Sequence, residues 1–239
     1  MDATPTVKCR RCGSDIAEKY CGQCGEQKII KRITLPGLLH DVFHLFTHLD
    51  KGFGFTVKEL LLRPGHMQRD YVEGNRSRYQ KPFSMFFICA TIDALVRYWI
   101  YLYLLKVQHG GNEAEANYFH QYFVLTHMLM LPFYVLITWL VFYKAGYNYA
   151  ETGVLMLYTI AFFFLVVTIL FIPKLIWHDF GTAWIELSFI ALYNAINFVN
   201  FYKKEKKWLV IVKSLIVVTS IFIIANSIED LLADWLQPK

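Results

Sequence analysis

Five long apolar runs fill the second part of the chain, with short polar segments between them. They cover about residues 82–105, 119–142, 152–172, 182–201 and 208–226. A helix needs about 20 mostly apolar residues to cross the hydrocarbon core of a bilayer, so each run is long enough to span a membrane. The pattern predicts an all-α integral membrane protein in which residues 82–239 form a five-helix transmembrane bundle.

The stretch before the first run is polar enough to lie in water, but it contains shorter helical patterns. Residues 34–49 place apolar side chains on one broad face of a helix and leave the other face polar. Such a segment is too short to span a bilayer and is typical of a helix in the membrane interface. Two more short helices are expected around a turn at Arg63-Pro64-Gly65, so residues 29–81 are interpreted as interfacial amphipathic helices.

Composition supports a membrane location. The 239 residues are 56% hydrophobic and 18% charged, whereas an ordinary soluble domain is about a quarter charged. Residues 1–34 contain charges, glycines and cysteines with no short apolar core, which is not the pattern of a cleavable signal peptide. We therefore expect the first run to act as its own insertion signal.

Basic residues are distributed unevenly along the chain. Residues 1–81 contain 14 Lys and Arg against 9 Asp and Glu, and residues 82–239 contain 10 against 10. If the N-terminus lies inside, five spans leave 19 basic residues on the inner side and three on the outer side, in agreement with the positive-inside rule. This predicts a cytoplasmic N-terminus and an external C-terminus, with the basic part facing anionic lipid rather than nucleic acid.

Four cysteines near the N-terminus form two Cys-x-x-Cys pairs, each followed by glycine: Cys9, Cys12, Cys21 and Cys24. Two such pairs can direct four thiolates at one Zn²⁺, and a site with four cysteine ligands leaves no open position for water. The spacing predicts a cytoplasmic zinc ribbon over residues 1–28 with a structural metal, because so short a segment has too few apolar residues to fold without one. Two disulfides or free thiols are the alternative.

Three histidines recur at every fourth residue of the first interfacial helix: His40, His44 and His48. This spacing places three imidazoles on one stripe, which is either a second metal or proton site or the polar side of an ordinary interfacial helix. A lipid-modifying enzyme built on this stripe ranks last, because the predicted topology puts other histidines on the opposite side. Motifs for nucleophilic, dinucleotide or nucleotide chemistry are absent from the sequence, so the chain is not expected to be an enzyme.

A basic cluster precedes the first span. It consists of Arg63, Arg69, Arg76, Arg78 and Lys81. Such a cluster can bind lipid headgroups, since each basic side chain near an anionic membrane surface contributes about 1 kcal/mol. The alternative is that these charges only set the topology.

Charged and polar side chains also occur inside the predicted spans. Asp93 and Arg97 lie four residues apart in the first span, so they can pair on one helix face. Four further polar residues lie in the second and fourth spans: His127, Glu186, Asn194 and Asn197. Together these six side chains could line a polar path through the bundle. Alternatively, the ion pair docks the first span on its neighbours, and the asparagines hydrogen-bond between helices.

The order of motifs before Pro82 resembles a known family. After the first cysteine pair the chain reads YCGQCG, then HDVFHLFTHLDKGFGFTVKELLLRPG, then DYVEGNRSRYQKP directly before the first span. This arrangement resembles the bacterial domain-of-unknown-function family DUF3667 over about residues 9–82. The resemblance implies a zinc ribbon joined to a multi-span segment of the bacterial inner membrane, and it implies no activity and no functional residue.

Two functions fit these features. The first is a channel or transporter in which the zinc ribbon and the amphipathic helix gate a polar path from the cytoplasmic side, and the charges within the spans favour it. The second is a non-transporting adaptor or scaffold that recruits a soluble cytoplasmic protein or anionic lipid through the zinc ribbon and the basic cluster. In either case we expect a homo-oligomer in contact with membrane lipids.

Overall fold

The computed structural model of the chain describes residues 7–9, 12–16, 19–23, 25, 32–38, 52–108, 113–177, 181 and 183–236. Near the N-terminus, strand β1 (Val7–Lys8) pairs antiparallel with strand β2 (Asp15–Ile16). Residues 35–38 are helical. The later part of the predicted 34–49 helix lies outside the described residues.

Eight α-helices follow in the described part of the chain. They are α1 (Phe53–Leu62), α2 (His66–Val72), α3 (Pro82–Gln108), α4 (Glu113–Gln121), α5 (Phe123–Val141), α6 (Tyr149–Phe171), α7 (Ala183–Phe201) and α8 (Lys207–Leu236). Short 3₁₀ turns follow α5 and α6, at Tyr143–Ala145 and Ile172–Leu175. The predicted helical architecture is confirmed, as are the two short helices on either side of the Arg63-Pro64-Gly65 turn.

The long helices form one bundle with two distinct ends. Phe142, just after α5, stacks on Tyr202, just after α7, with 4.1 Å between the ring centroids. At the opposite end, Tyr101 in α3 packs against Phe171 at the end of α6. Residues 52–81, which contain α1 and α2, pack on the first end and are called the cap. We call that end the cap end and the other the far end.

α6 is the central helix of the bundle. α3 runs parallel to it, since Phe86 in the first part of α3 contacts Phe164, and Tyr101, later in α3, contacts Phe171 at the end of α6. α5 runs antiparallel to it, because Phe123 at the start of α5 contacts Phe164, whereas Thr138 near the end of α5 contacts Met156, earlier in α6. Almost every side chain of α6 from residue 150 to residue 159 is buried. A helix that is apolar on all faces belongs in such a position, with neighbours on every side.

Within the described residues, four helices are long and apolar enough to cross a bilayer: Pro82–Lys106, Phe123–Val141, Tyr149–Leu175 and Lys207–Ile228. They coincide with four of the five predicted spans and are compatible with a multi-pass membrane protein. The fifth predicted span, 182–201, corresponds to α7, which is more polar because it carries Glu186 and three asparagines. α7 packs against α8 and also contacts α6.

The second candidate span begins at Phe123, four residues after the approximate start predicted at residue 119. The chain turns at Tyr122, where α4 has ended and α5 begins. Tyr118 and Phe119 make the apolar pattern continue upstream, but both are buried by other aromatic rings. The Phe119 ring stacks on Tyr101, with 5.6 Å between centroids. The apolar character of these two residues therefore serves the packing of α4 on α3.

The segment before the cap is fixed to the cap end of the bundle by polar contacts. Arg32 donates to the two carboxylate oxygens of Glu151 at 2.7 and 3.0 Å, and to the Gly146 carbonyl at 3.0 Å. Asn148 caps α6 by accepting from the Glu151 backbone N–H at 2.8 Å, and its amide donates to the Ile33 carbonyl at 3.0 Å. The first turn of α6 thus holds residues 32 and 33 in place.

Candidate functional sites

The three described cysteines of the N-terminal pairs converge. The sulfur atoms of Cys9, Cys12 and Cys21 lie within 4.8 Å of one another, and the sulfurs of Cys12 and Cys21 are 3.5 Å apart. The turn after Cys9 brings the first pair together, because the Gly13 backbone N–H donates to the Cys9 carbonyl at 2.9 Å and Gly13 adopts a φ of +75°. Glycine tolerates that conformation without strain.

The spacing of these sulfurs fits a metal ion. A tetrahedral zinc ion with Zn–S bonds of about 2.3 Å holds neighbouring sulfurs about 3.8 Å apart, close to the observed separation. The Ser14 hydroxyl lies 2.8 Å from Cys12 Sγ and 3.1 Å from Cys21 Sγ, so it can donate a hydrogen bond to a thiolate beside the ion. The sequence offered no motif that singled out Ser14. The three cysteines could therefore hold a metal.

Two of the predicted sites extend beyond the described chain. Cys24, the fourth predicted zinc ligand, lies outside the described residues. So do His40, His44 and His48, the predicted histidine stripe. A second metal or proton site at these histidines therefore stays a prediction.

Asp93 and Arg97 form an ion pair on α3. Arg97 Nε donates to Asp93 Oδ1 at 3.2 Å, and the Thr168 hydroxyl on α6 donates to the same oxygen at 2.7 Å. Asp93 is fully buried, and its Oδ2 has no hydrogen-bond partner within the described part of the chain. These contacts connect α3 to α6 in the interior of the bundle.

Aromatic rings cover the Arg97 guanidinium. Its central carbon lies 5.0 Å from the Phe119 ring centroid and 4.8 Å from that of Phe171, and the side chain is 14% exposed. Cation–π contacts of this kind favour a cation that has lost water. The four-residue spacing predicted the partner on the same helix. The spacing did not predict the contacts of Arg97 with the Phe119 ring of α4 and the Phe171 ring at the end of α6.

The asparagines of α7 are hydrogen-bonded to protein groups. Asn194 donates to a carbonyl one turn earlier in α7 at 2.8 Å, and Asn197 donates to the Thr159 hydroxyl on α6 at 2.7 Å. Both are buried. Asn200, one turn later, donates to the Pro64 carbonyl of the cap at 2.9 Å. Two of the three amides therefore join α7 to α6 and to the cap.

His127 borders a small apolar cavity between α5, α6, α7 and α8. The cavity has a volume of about 80 Å³, and Asn194 also lines it. His127 Nδ1 lies 3.1 Å from the Phe123 carbonyl oxygen, and the imidazole packs against the rings of Phe123 and Phe164. Glu186 is half-buried in the first turn of α7. The structure thus places His127 and Asn194 at one cavity. Asp93 and Arg97 do not line this cavity and instead contact each other on α3.

Two members of the predicted headgroup cluster are bound to neighbouring protein groups in the cap. Arg63 lies 2.9 Å from Glu59 and 3.4 Å from Asp70. Arg69 is buried and donates to the Asn200 carbonyl at the end of α7. These two arginines help to fold the cap and to dock it on the bundle.

The other three members of the cluster lie at the edge of the cap. Arg76 donates to the Tyr71 carbonyl at 3.3 Å and lies over the Tyr71 ring. Arg78 is exposed and lies over the Phe55 ring at 4.6 Å, and Lys81 is exposed directly before α3. Their position before the first apolar helix is compatible with contact to headgroups, which stays a prediction.

The turn between α1 and α2 fits closely against the end of α7. Gly65 has a φ of +79°, and a Cβ added there would lie 2.1 Å from the Asn197 carbonyl oxygen and 2.6 Å from Asn200 Cβ. Both the backbone conformation and the available space therefore require glycine. The sequence marked this position only as a turn, whereas the structure shows it to be the docking point of the cap.

A family model matches part of the chain. The matching residues are 50–92, and the family is described as "Protein of unknown function (DUF3667)". No match is found among curated proteins or among solved structures. The matched segment contains α1, α2 and the first part of α3, so it corresponds to the cap and its junction with the bundle. Residues 50–92 are therefore similar to the DUF3667 family, which confirms the predicted resemblance over this segment.

Proposed function

We propose that the protein is a non-transporting adaptor of the bacterial inner membrane. The bundle anchors a cytoplasmic binding surface formed by the cap and by the N-terminal segment that contains Cys9, Cys12, Cys21 and Cys24, which we call the cysteine module. The observation that carries this proposal is that the Asp93–Arg97 pair and Asn197 contact other protein groups inside the bundle. Thr168 and two phenylalanine rings enclose the Asp93–Arg97 pair, and Asn197 bonds to Thr159. A conducting path would need such groups to face water.

The charge distribution supports a cytoplasmic cap end. The cap carries six Lys and Arg, and the connections at this end add Lys144 and the four lysines between residues 203 and 207. The far end carries Lys106 and Lys174. By the positive-inside rule the cap end faces the cytoplasm. This orientation also places the cysteine module inside, where thiols stay reduced, and the end of α8 outside.

The cysteine module supports the adaptor role as a rigid unit. We propose a structural Zn²⁺ held by Cys9, Cys12, Cys21 and Cys24. Thiolates are preferred zinc ligands, and four of them close the coordination shell. The ion would fix the two turns and the β1–β2 hairpin relative to each other, since so small a segment buries few apolar side chains.

Replacing Cys12 by serine is expected to remove most of the bound metal. The purified full chain should contain about one zinc per chain, measured by inductively coupled plasma mass spectrometry, and the Cys12→Ser variant should retain less than about a fifth, because a hydroxyl is a poor zinc ligand. Cys89→Ser is the control, since Cys89 is buried in α3. Equal zinc contents in the two variants would contradict the proposed site.

The adaptor proposal also predicts that the protein carries no ions or small solutes. We expect vesicles containing the full chain to show the same proton and potassium flux as empty vesicles, because the buried polar groups bind one another instead of lining a wet path. Fluorescent reporters of internal pH and potassium measure this directly. A flux that the Asp93→Asn substitution abolishes would sink the proposal.

The same vesicles test recruitment. After incubation with a bacterial cytoplasmic fraction and flotation, vesicles with the parent chain should retain a soluble protein that vesicles with Cys12→Ser lose, since loss of the metal unfolds the docking unit. Vesicles with Cys89→Ser should behave as the parent does. Retention that is identical for all three proteins, or absent from all three, would count against an adaptor.

Transport is the second candidate, and two observations favour it. Asp93 Oδ2 is buried with no hydrogen-bond partner in the described chain, and His127 and Asn194 border a cavity of about 80 Å³. A carboxylate oxygen and an imidazole are groups that can pass protons between waters. The flux measurement above separates this candidate from the adaptor.

A further inference from the structure

A polar pocket lies at the cap end, where the cap meets two turns of the bundle. Its volume is about 290 Å³, and its polar lining comes from α2, from the turn after α5 and from the turn after α7: Arg69, Glu73, Tyr147, Tyr202, Lys203 and Lys204. Three of these side chains are basic and one is acidic. The pocket therefore carries net positive charge at neutral pH.

Arg69 is the fixed cation of this pocket. It is 7% exposed, and its guanidinium donates to the Asn200 carbonyl, which holds it at the junction of cap and bundle. Its Nε lies 3.8 Å from a carboxylate oxygen of Glu73, a separation longer than a hydrogen bond. The Glu73 side chain is 59% exposed, so water weakens this attraction. Glu73 offsets part of the positive charge of Arg69 and leaves both lysines uncompensated within the lining.

The charges of the pocket also act on a neighbouring histidine. The pKa of His66, at the start of α2, is lowered first by burial and then by the nearby charges of Arg69, Arg63 and Lys203. Cations that disfavour a protonated imidazole create a positive potential at that point. The same potential favours an anion.

Two tightly packed tyrosine side chains form part of the pocket lining. Tyr147 packs on Phe201 with 4.5 Å between centroids, and its hydroxyl donates to the Phe201 carbonyl at 3.4 Å. Tyr202 stacks on Phe142. Burial raises the pKa of Tyr147, so its hydroxyl stays protonated and adds no negative charge that would repel an anion.

We propose that this pocket binds a phosphate group, supplied either by the headgroup of an anionic phospholipid or by free phosphate. Arginine recognises phosphate oxygens through its planar fork of donors, and lysine supplies a point charge. Basic pockets beside spanning helices on the cytoplasmic side are typical binding sites for anionic headgroups. The inference deepens the adaptor proposal and rests on it for the orientation of the cap end.

The proposed site differs from the headgroup cluster that the sequence predicted. That cluster took its five basic residues from the stretch before the first span. In the structure, Arg69 of that stretch faces the same pocket as Lys203 and Lys204, which follow α7. Arg69 lies near the two lysines only because the cap docks on the end of α7.

The test compares two double variants that remove equal charge from the same end of the bundle. Lys203→Ala with Lys204→Ala empties the pocket of its lysines, whereas Lys144→Ala with Lys206→Ala removes two lysines that do not line it. All four lysines are exposed, so we expect both variants to keep the thermal unfolding midpoint of the parent. The full chain in neutral detergent is titrated with phosphatidic acid, phosphatidylcholine or inorganic phosphate, and bound species are counted by native mass spectrometry.

We expect the pocket variant to bind phosphatidic acid about tenfold or more weakly than the parent, since each lysine near a phosphate contributes about a fivefold factor. The matched variant should change affinity by less than about twofold. Tighter binding of phosphatidic acid than of inorganic phosphate identifies the lipid as the source, and the reverse order identifies free phosphate; both support the site.

Two results would overturn the inference. One is an equal loss of phosphatidic acid affinity in the two double variants, which would show that the lipid is attracted to the overall charge of this end of the bundle. The other is phosphatidylcholine binding as tightly as phosphatidic acid, with neither affected in the pocket variant. Flux through vesicles would defeat the adaptor proposal but leave the difference between the variants intact, so the two failures are distinguishable.

Discussion

Gly65→Ala is expected to lower the free energy of unfolding by about 3 kcal/mol or more, because it adds a methyl group where two costs combine. A non-glycine residue at positive φ is strained by about 1–2 kcal/mol. The new Cβ would also lie 2.1 Å from the Asn197 carbonyl oxygen, and relieving such an overlap costs a further 1–3 kcal/mol or so. The cap must then move away from α7.

The measurement is chemical unfolding of the full chain in detergent, followed by tryptophan fluorescence. Gly146→Ala is the matched control, since Gly146 has a φ of +87° but, its two chain neighbours aside, no atom of the described residues lies within 4 Å of an added Cβ. It should show the strain alone, about 1–2 kcal/mol. If the two variants lose the same stability, the close approach of Gly65 to α7 does not hold the cap.

Arg97→Met is expected to destabilise the bundle by about 3 kcal/mol, because it removes one partner of a buried ion pair. Asp93 would remain fully buried with Thr168 as its donor. Breaking such a pair typically costs about 3–5 kcal/mol, whereas replacing both partners with neutral groups of similar size is often nearly neutral. Adding Asp93→Asn to Arg97→Met should therefore recover most of the loss.

The same unfolding assay measures the single and double variants. Lys106→Met serves as the control on the same helix, since Lys106 is exposed, and it should shift stability by less than about 0.5 kcal/mol. A double variant no more stable than Arg97→Met would contradict a pairwise role. Unchanged stability in Arg97→Met, together with altered flux, would instead assign the pair to transport.

Local spacing was enough to predict the contacts made within one helix. The four-residue interval between Asp93 and Arg97 predicted their pairing, and the alternation of long apolar runs with polar loops predicted the helices of the bundle. The hydrogen-bond donor to Asp93 could not be predicted, because Thr168 lies on another helix and a single threonine in an apolar run has no distinguishing pattern.

Contacts between segments that are far apart in the chain could not be predicted from local spacing, for the same reason. The Arg-Pro-Gly turn was recognisable as a turn, but its fit to Asn197 depends on how α7 packs. Likewise, the positive-inside rule treats Lys203 and Lys204 only as charges on the inner side, whereas the folded cap shows them beside Arg69. Apolar content alone also could not separate α4 from α5, since aromatic residues that pack on neighbours look like residues that face lipid.

The ion pair of Arg32 with Glu151 limits how far the cysteine module can reach from the membrane. Gly25 lies seven residues before Arg32, and a fully stretched chain advances about 3.5 Å per residue. The linker between Gly25 and Arg32 is therefore no longer than about 25 Å, which is less than the thickness of the hydrocarbon layer. A partner of the proposed adaptor would therefore contact the cysteine module close to the cap end of the bundle.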